Sequence, residues 1–177
     1  RRKQTEELSQ GWAREADHII KDYNHKVALV CMEEVDEPLA HKILAKMEYP
    51  DDARIFSSKK FNASQMTHML RKLNLLVTSR YHAGVLSLES AVPQIAVGHD
   101  TRLKGFYQEL GIHEYLIDST SEGMWNKLHD KVEDLIEDPG KEVEILKSGF
   151  KEHLSRSLLN PDLLKEFLKD RGLKVKS

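Results

Sequence analysis

The hydrophobic positions of the chain alternate between short apolar runs and longer stretches with helical periodicity. Residues 26–32 read KVALVCM, a continuous valine-rich run that is typical of a strand buried on both faces of a parallel sheet. Four shorter candidates follow it along the chain: ARIFS, NLLVTS, PQIAVG and EYLID. Between these runs, apolar residues recur every three or four positions, which predicts helices. The pattern therefore predicts repeated strand–helix units.

Local signals mark where several of the predicted helices begin and end. Asn62, with Gln65 three residues later, predicts a capped helix start, and Gly111 predicts a helix end. A helix is also predicted within residues 1–25. After the fifth strand the alternation ceases, and residues 119–177 read as a tail of three helices, the last opened by Asn160 and Pro161.

Repeated strand–helix units predict the α/β class, with a Rossmann-like, doubly wound parallel sheet of about five strands and an added C-terminal helical tail. No linker or internal repeat divides the chain, so its 177 residues are expected to form one domain. At that length about 70% of the unfolded surface can be buried.

Composition narrows the function classes. The formal net charge of -2 gives no field that would attract nucleic acid or an anionic membrane. No apolar run approaches the ~20 residues of a membrane span. The single cysteine, Cys31, excludes an internal disulfide and fits a reducing compartment, so we expect a cytoplasmic location.

In such sheets, ligands bind at the carboxyl ends of the strands. Three polar loops of this chain are expected to lie at that edge: residues 33–37, 79–82 and 98–102. In the middle loop, Ser79 supplies a hydroxyl, Arg80 a planar fork suited to carboxylate or phosphate, and His82 a proton carrier near neutral pH. Singly, an arginine here usually pairs with a carboxylate and a histidine usually caps a helix. Together, directly after an apolar strand, they favour a site, although their spacing leaves the reaction open.

The two outer loops have both structural and functional interpretations. Asp100 is placed to cap the next helix, and Arg102 is either a solvated charge or a second contact for the anion at Arg80. Three acidic residues of the first loop are expected to cap the helix after Pro38, with sugar binding as the alternative: Glu33, Glu34 and Asp36.

Motifs for metals, nucleotides and hydrolysis are missing from the sequence. The nine histidines show no paired-ligand spacing, and no P-loop, GxGxxG turn or GxSxG elbow is present. We therefore expect neither a metal nor a cofactor.

Residues 75–112, LLVTSRYHAGVLSLESAVPQIAVGHDTRLKGFYQELGI, resemble the polysaccharide pyruvyl transferases. The family pattern is an apolar strand, Ser/Gly-Arg-x-His, a small-residue helix, Gly-x-Pro, a second strand, and Tyr-Asp-x-Lys before a helix. Ser79, Arg80 and His82 match its first element, Pro93 the second and Asp100 the third. The chain departs from the pattern at three positions, where the family commonly has Gly, Tyr and Lys: Ala91, His99 and Arg102.

The resemblance implies transfer of a pyruvyl unit from phosphoenolpyruvate to two hydroxyls of a cell-surface polysaccharide, giving a cyclic ketal and phosphate. It implies that His82 and Arg80 are catalytic, with His82 as general acid and later base. Substrate contacts would come from Ser79, Arg80, His99, Asp100 and Arg102. No metal or other cofactor enters this scheme.

The family also resembles two-domain GT-B glycosyltransferases, which bind substrates between two Rossmann-like domains. On that basis the chain is expected to be the C-terminal half, residues 1–25 the connection to an N-terminal domain, and the isolated chain inactive.

Two alternatives stay open. One is a GT-B glycosyltransferase or nucleotide-sugar epimerase, although Leu86 stands where such proteins carry a ribose-binding carboxylate and Glu89 is displaced by most of a turn. The other is a non-catalytic, isolated binding domain.

Overall fold

The computed structural model describes residues 2–172, with side chains from Thr5 onward, and within that range the chain forms an α/β fold. The strands are β1 (Val27–Cys31), β2 (Ala53–Ser57), β3 (Leu76–Thr78), β4 (Gln94–Val97) and β5 (Leu116–Ile117). The helices are α1 (Arg2–Tyr23), α2 (Glu37–Leu44), α3 (Ala63–Leu70), α4 (Tyr81–Ser87), α5 (Thr101–Leu110), α6 (Met124–Glu137) and α7 (Gly140–Asp170).

All the strand pairs are parallel, as the alternation of strands and helices predicts, but the five strands form two sheets. β1 pairs with β2, starting from Val27 opposite Ala53, and the second sheet has the order β3-β4-β5. In the part of the chain that the structure describes, no ladder joins β1 to β3, so the single five-stranded sheet expected from the sequence is divided. A cavity of about 1100 Å³, lined by residues of β1 and β3, lies between the two sheets.

The second sheet is covered on both faces at β4, where successive residues point to opposite sides and all four are buried. In β4, Ile95 and Val97 pack with α6, whereas Ala96 packs with α5 and α7. A cluster around Leu70 and Leu76 also takes in Val30 of β1, so a shared core connects the two sheets.

Local helix signals are confirmed. The side chain of Asn62 accepts from the backbone N–H of Gln65 at 3.0 Å, and Gln65 returns the bond to the N–H of Asn62. Asp100 caps α5 through the N–H of Arg102, and Gly111 ends that helix with a φ of 75°, a left-handed conformation that favours glycine. Pro38 lies in the first turn of α2.

The predicted helix break at Asn160 and Pro161 is wrong, because α7 continues through Pro161 to Asp170. A proline inside a helix removes one backbone hydrogen bond and crowds the preceding turn, and here the residues around it are exposed rather than packed. From Leu154 onward, α7 exposes six large apolar side chains: Leu154, Leu158, Leu159, Leu163, Leu164 and Phe167. None of the described helices has the length and apolar composition that crossing a membrane requires.

Glu142, in the first turn of α7, is a carboxylate buried against β4. It is 1% exposed, and its Oε1 accepts a hydrogen bond from the N–H of Gln94 at 3.1 Å, while its Oε2 has no hydrogen-bond partner. Burial raises the pKa of Glu142 to about 7 from an ordinary value of 4.5. The folded state therefore favours the protonated form of Glu142.

We predict that Glu142→Gln removes a pH-dependent loss of stability. Because the folded-state pKa is raised, the stabilisation from protonated Glu142 is complete below about pH 4.5 and is lost as the pH rises through about 7. Between pH 5 and 8 this loss amounts to about 2–3 kcal/mol of unfolding free energy, which the variant should not show. Urea unfolding at several pH values measures the difference. Glu144→Gln, at an exposed position of the same helix, should keep the wild-type profile; an unchanged profile in Glu142→Gln would contradict the assignment.

Candidate functional site

Arg80 lies in the turn between β3 and α4, at the carboxyl edge of the second sheet. It is the N-cap residue of α4, and Thr78 fixes the turn: Thr78 Oγ1 accepts from the N–H of Arg80 at 2.9 Å and donates to its carbonyl at 3.2 Å. Ser79, between them, is exposed. The end of an apolar strand thus holds the arginine backbone in one conformation and leaves its side chain to be positioned by neighbouring loops.

Two carboxylates from the loop after β1 position the Arg80 guanidinium. Its Nη1 donates to Glu33 Oε1 at 3.0 Å, and its Nη2 forms a short ion pair with Asp36. The hydrogen bond that Arg80 donates to Asp36, together with the negative charges of Asp36 and Glu33, raises the pKa of Arg80. The loops at residues 33–37 and 79–82 are therefore in contact, as the convergence of parallel strands predicts, even though β1 and β3 belong to different sheets.

The acidic loop has a capping role as well as this ionic one. Asp36 accepts from the N–H of Glu33 at 3.0 Å, and the pair forms a capping box around a single 3₁₀ turn, residues 34–36, just before α2. The sequence predicted capping of the helix after Pro38, but the box caps this turn instead, and Asp36, the N-cap residue of α2, makes no side-chain cap hydrogen bond to that helix. The second partner of Glu33 and Asp36, Arg80, could not be identified from their spacing.

Lys59 and Ser57, at the end of β2, are part of this edge and were not predicted. Lys59 Nζ lies 2.7 Å from Glu34 Oε1 and 3.1 Å from Glu37 Oε2, and Ser57 Oγ donates to Glu37. The available signal was the polar sequence SSKK directly after the strand ARIFS. Every acidic side chain of the first loop thus has a cationic partner.

Asp100 and Arg102 form a compact pair at the start of α5. Asp100 accepts from the backbone N–H of Arg102 at 2.8 Å and from its Nε at 3.2 Å, and Arg102 Nη2 lies 2.7 Å from Asp100 Oδ2. These bonds lower the pKa of Asp100 to about 2. The guanidinium also lies over the ring of Tyr81, with its carbon 5.7 Å from the ring centroid.

Tyr81, another residue not predicted, contacts both Arg102 and His82. Its ring centroid is 5.5 Å from that of His82, which is exposed. Tyr81 therefore brings Arg102 and His82 to a common aromatic neighbour. Across residues 2–172, no hydrogen bond or ion pair links Arg80 to His82 or to Arg102. His99 is exposed, and its Nδ1 lies 3.3 Å from Ser119 Oγ after β5.

We call the resulting surface the charged rim. It carries three paired cations, two exposed histidines and a larger set of carboxylates, and its members are Glu33, Glu34, Asp36, Glu37, Lys59, Arg80, His82, His99, Asp100 and Arg102. Ser79, Arg80 and Asp36 also line the inter-sheet cavity. Such a rim offers guanidinium groups to an anion and carboxylate acceptors to hydroxyl groups.

A group of side chains able to hold a metal ion lies elsewhere, between α1 and α6: Glu15, His18 and His129. Their distance along the chain explains why no paired spacing appeared in the sequence.

Comparison with models of known protein families identifies the family of this chain. The family model described as polysaccharide pyruvyl transferase matches residues 2–101, more than half of the 177-residue chain. The matched region contains the acidic loop, Arg80, His82 and Asp100, and it ends one residue before Arg102. Neither the curated proteins nor the solved structures contain a significant match.

Proposed function

The chain belongs to the polysaccharide pyruvyl transferase family, and from this membership we propose that it is part of an enzyme that transfers a pyruvyl group from phosphoenolpyruvate to two hydroxyls of a saccharide acceptor. The family match carries the class of activity. The charged rim supports the choice of donor and of residues, because it combines arginine side chains with an accessible imidazole at the edge where parallel sheets bind ligands.

Phosphoenolpyruvate carries a phosphate and a carboxylate, and we assign their binding to Arg80 and Arg102, with the Ser79 hydroxyl beside them. A guanidinium has five N–H donors, and Glu33 with Asp36 engages two of those of Arg80. The remaining donors are free to bind an anion while the carboxylates hold the plane of the group. Arg102 is pre-oriented in the same way by Asp100 and Tyr81.

His82 is the proposed general acid. Its proton goes to the methylene carbon of the donor, which becomes a methyl group, while positive character develops at the adjacent carbon. One acceptor hydroxyl attacks that carbon and loses its proton to the now neutral imidazole. The carbon–oxygen bond to phosphate then breaks, the second hydroxyl closes the ketal, and its proton leaves with the phosphate. A general acid such as His82 typically contributes ~10²–10⁴-fold to the rate.

The acceptor side of the proposal uses the carboxylates of the rim. Sugar hydroxyls donate to carboxylate oxygens, and Glu33 and Asp36 have lone pairs beyond those that face Arg80. We place Asp100 and His99 with them as acceptor contacts.

We further propose that the chain is the C-terminal domain of a GT-B-like enzyme whose N-terminal domain closes the cleft over the rim, with residues 1–25 as the connection. The six exposed apolar side chains of α7 support a further packing partner of this kind, because a monomeric domain rarely exposes so many together. The isolated chain should then turn over little substrate. The unpaired thiol of Cys31 supports a reducing, cytoplasmic setting.

The nucleotide-sugar alternative has weaker support in the site. Glu89 is engaged in an ion pair with Arg71, and Leu86 packs beside the cluster of Leu70 and Leu76. The position expected to carry the ribose-binding carboxylate is therefore apolar, and Glu89 is displaced from it by most of a turn.

Thermal denaturation with added ligands tests the proposed donor. Phosphoenolpyruvate at about 100 times its dissociation constant should raise the melting temperature of the chain by roughly 5–10 °C, since binding to the folded state stabilises it by mass action. Pyruvate and inorganic phosphate, each carrying only one of the two anionic groups, are the control ligands and should act more weakly. A response to nucleotide sugars alone would favour the glycosyltransferase alternative and overturn the proposal.

A further inference from the structure

Two helices that are far apart in the sequence bring a set of metal-binding side chains together. Glu15 and His18 lie three residues apart on α1, and His129 and Glu133 lie four residues apart on α6, so each pair shares one helix face. The rings of His18 and His129 are 4.1 Å apart between centroids. One ligand atom each from Glu15, His18 and His129 lies within 4.8 Å of the others.

Two buried atoms of this group have no hydrogen-bond partner. The Glu15 side chain is 9% exposed and its Oε1 is unpartnered, and His18 Nε2 is also buried without a hydrogen bond. An unpaired buried polar atom destabilises the folded state, and more so when it is charged. Burial accordingly raises the pKa of Glu15. A cation between these atoms would remove the cost.

The surroundings of His18 prepare it as a ligand. Its Nδ1 is 2.7 Å from Asp22 Oδ2, which places the ring proton on Nδ1 and leaves a lone pair on the unpartnered Nε2. Ligand histidines characteristically donate their second nitrogen to a carboxylate in this way. Tyr23 similarly donates from its hydroxyl to Glu133 Oε1 at 3.3 Å.

The spacing at the two Nε2 atoms suits a metal better than direct hydrogen bonds. Glu133 Oε1 is 3.7 Å from Nε2 of both His18 and His129, whereas Nδ1 of His129 is engaged in a 3.3 Å hydrogen bond with Glu15 Oε2. Ligands about 2.0–2.1 Å from a tetrahedral zinc ion are about 3.3 Å from one another. Two imidazoles with a carboxylate form a donor set that zinc accepts.

We propose that Glu15, His18 and His129 bind Zn²⁺, with the Glu133 carboxylate as the fourth ligand, and that the ion fastens α1 to α6. The site is independent of the charged rim and of the transfer reaction. Its role is to position the first helix, whose Trp12 already packs edge-to-face on Trp125 of α6 at 5.3 Å between ring centroids.

Titration of the metal-free chain with Zn²⁺ tests the site directly. We expect one ion per chain in isothermal titration calorimetry and a higher melting temperature with zinc. X-ray absorption of the complex should show nitrogen and oxygen ligands about 2.0–2.1 Å from zinc, with imidazole scattering. It should show no sulfur ligand at about 2.3 Å, the distance that coordination by Cys31 would give. Absence of binding, or a sulfur ligand, would overturn the proposal.

Variants separate this site from incidental binding at other histidines. His18→Gln and His129→Gln should each weaken zinc binding by at least about 100-fold, and Asp22→Asn by about 10–100-fold through the orientation of His18. His68→Gln, at an exposed position on α3, is the matched control and should bind like the wild type. His129 is 40% exposed, so its replacement tests the site even if His18→Gln fails to fold. Wild-type affinity in a folded His129→Gln would refute the site.

Discussion

Replacing His82 with alanine in the intact enzyme should lower the catalytic rate constant of pyruvyl transfer by ~10²–10⁴-fold, with a much smaller change in the donor KM. The expected split follows from the proposed role. A proton donor acts on the methylene carbon in the transition state, whereas ground-state donor binding is assigned to the two arginines. His82 is exposed and contacts the Tyr81 ring, so its removal leaves no packing defect in the described core.

Steady-state release of phosphate, measured over a range of donor concentrations, gives both constants. His113→Ala is a suitable control, because His113 is also exposed but lies in the short turn before β5, at the opposite end of that strand from the charged rim. If His82→Ala retains the wild-type rate constant, or loses only donor affinity, the imidazole is not the acid.

The sequence predicted those features that depend on a few neighbouring residues. The capping box of Asn62 and Gln65 and the helix end at Gly111 are set by local backbone hydrogen bonds, so their residue types suffice to place them. The strands were found for a related reason, since short, continuous apolar runs are typical of strands in a parallel sheet.

Features that depend on pairing between distant segments were not predictable in the same way. A valine-rich run predicts a strand, but it does not show which strand it pairs with, and here β1 and β3 lie on opposite sides of a cavity. The group of Glu15, His18 and His129 is of the same kind, because each helix carries only part of the donor set. The continuous α7 differs: Pro161 lowers the stability of a helix without fixing its end.

The partners of Arg80 show where sequence reasoning about the site ends. Its position after β3 was sufficient to predict a functional or ionic role, and its carboxylate partners lie 44 and 47 residues away. Whether a strand-end arginine is neutralised or free depends on which loop lies opposite. In this chain it is neutralised and pre-oriented at once, and this has a measurable consequence for donor binding.

Arg80→Ala should weaken donor binding by about 100-fold and change the rate constant less. Two charge-assisted hydrogen bonds to the donor, at about 1.5 kcal/mol each, account for that factor. The loss has a second cause, because Glu33 and Asp36 would remain at the edge without their counter-ion and would repel a phosphate and a carboxylate. Donor KM, and the ligand-induced rise in melting temperature, measure the effect.

Two further variants separate attraction by Arg80 from repulsion by its neighbours. Glu33→Gln leaves the guanidinium in place and removes one competing charge, so it should tighten donor binding, and the double variant Arg80→Ala/Glu33→Gln should recover part of the loss. Arg14→Ala, an exposed position on α1, should bind the donor like the wild type. If Arg80→Ala binds phosphoenolpyruvate with wild-type affinity, then the arginine serves only to join the loops after β1 and β3, and the donor must be held elsewhere.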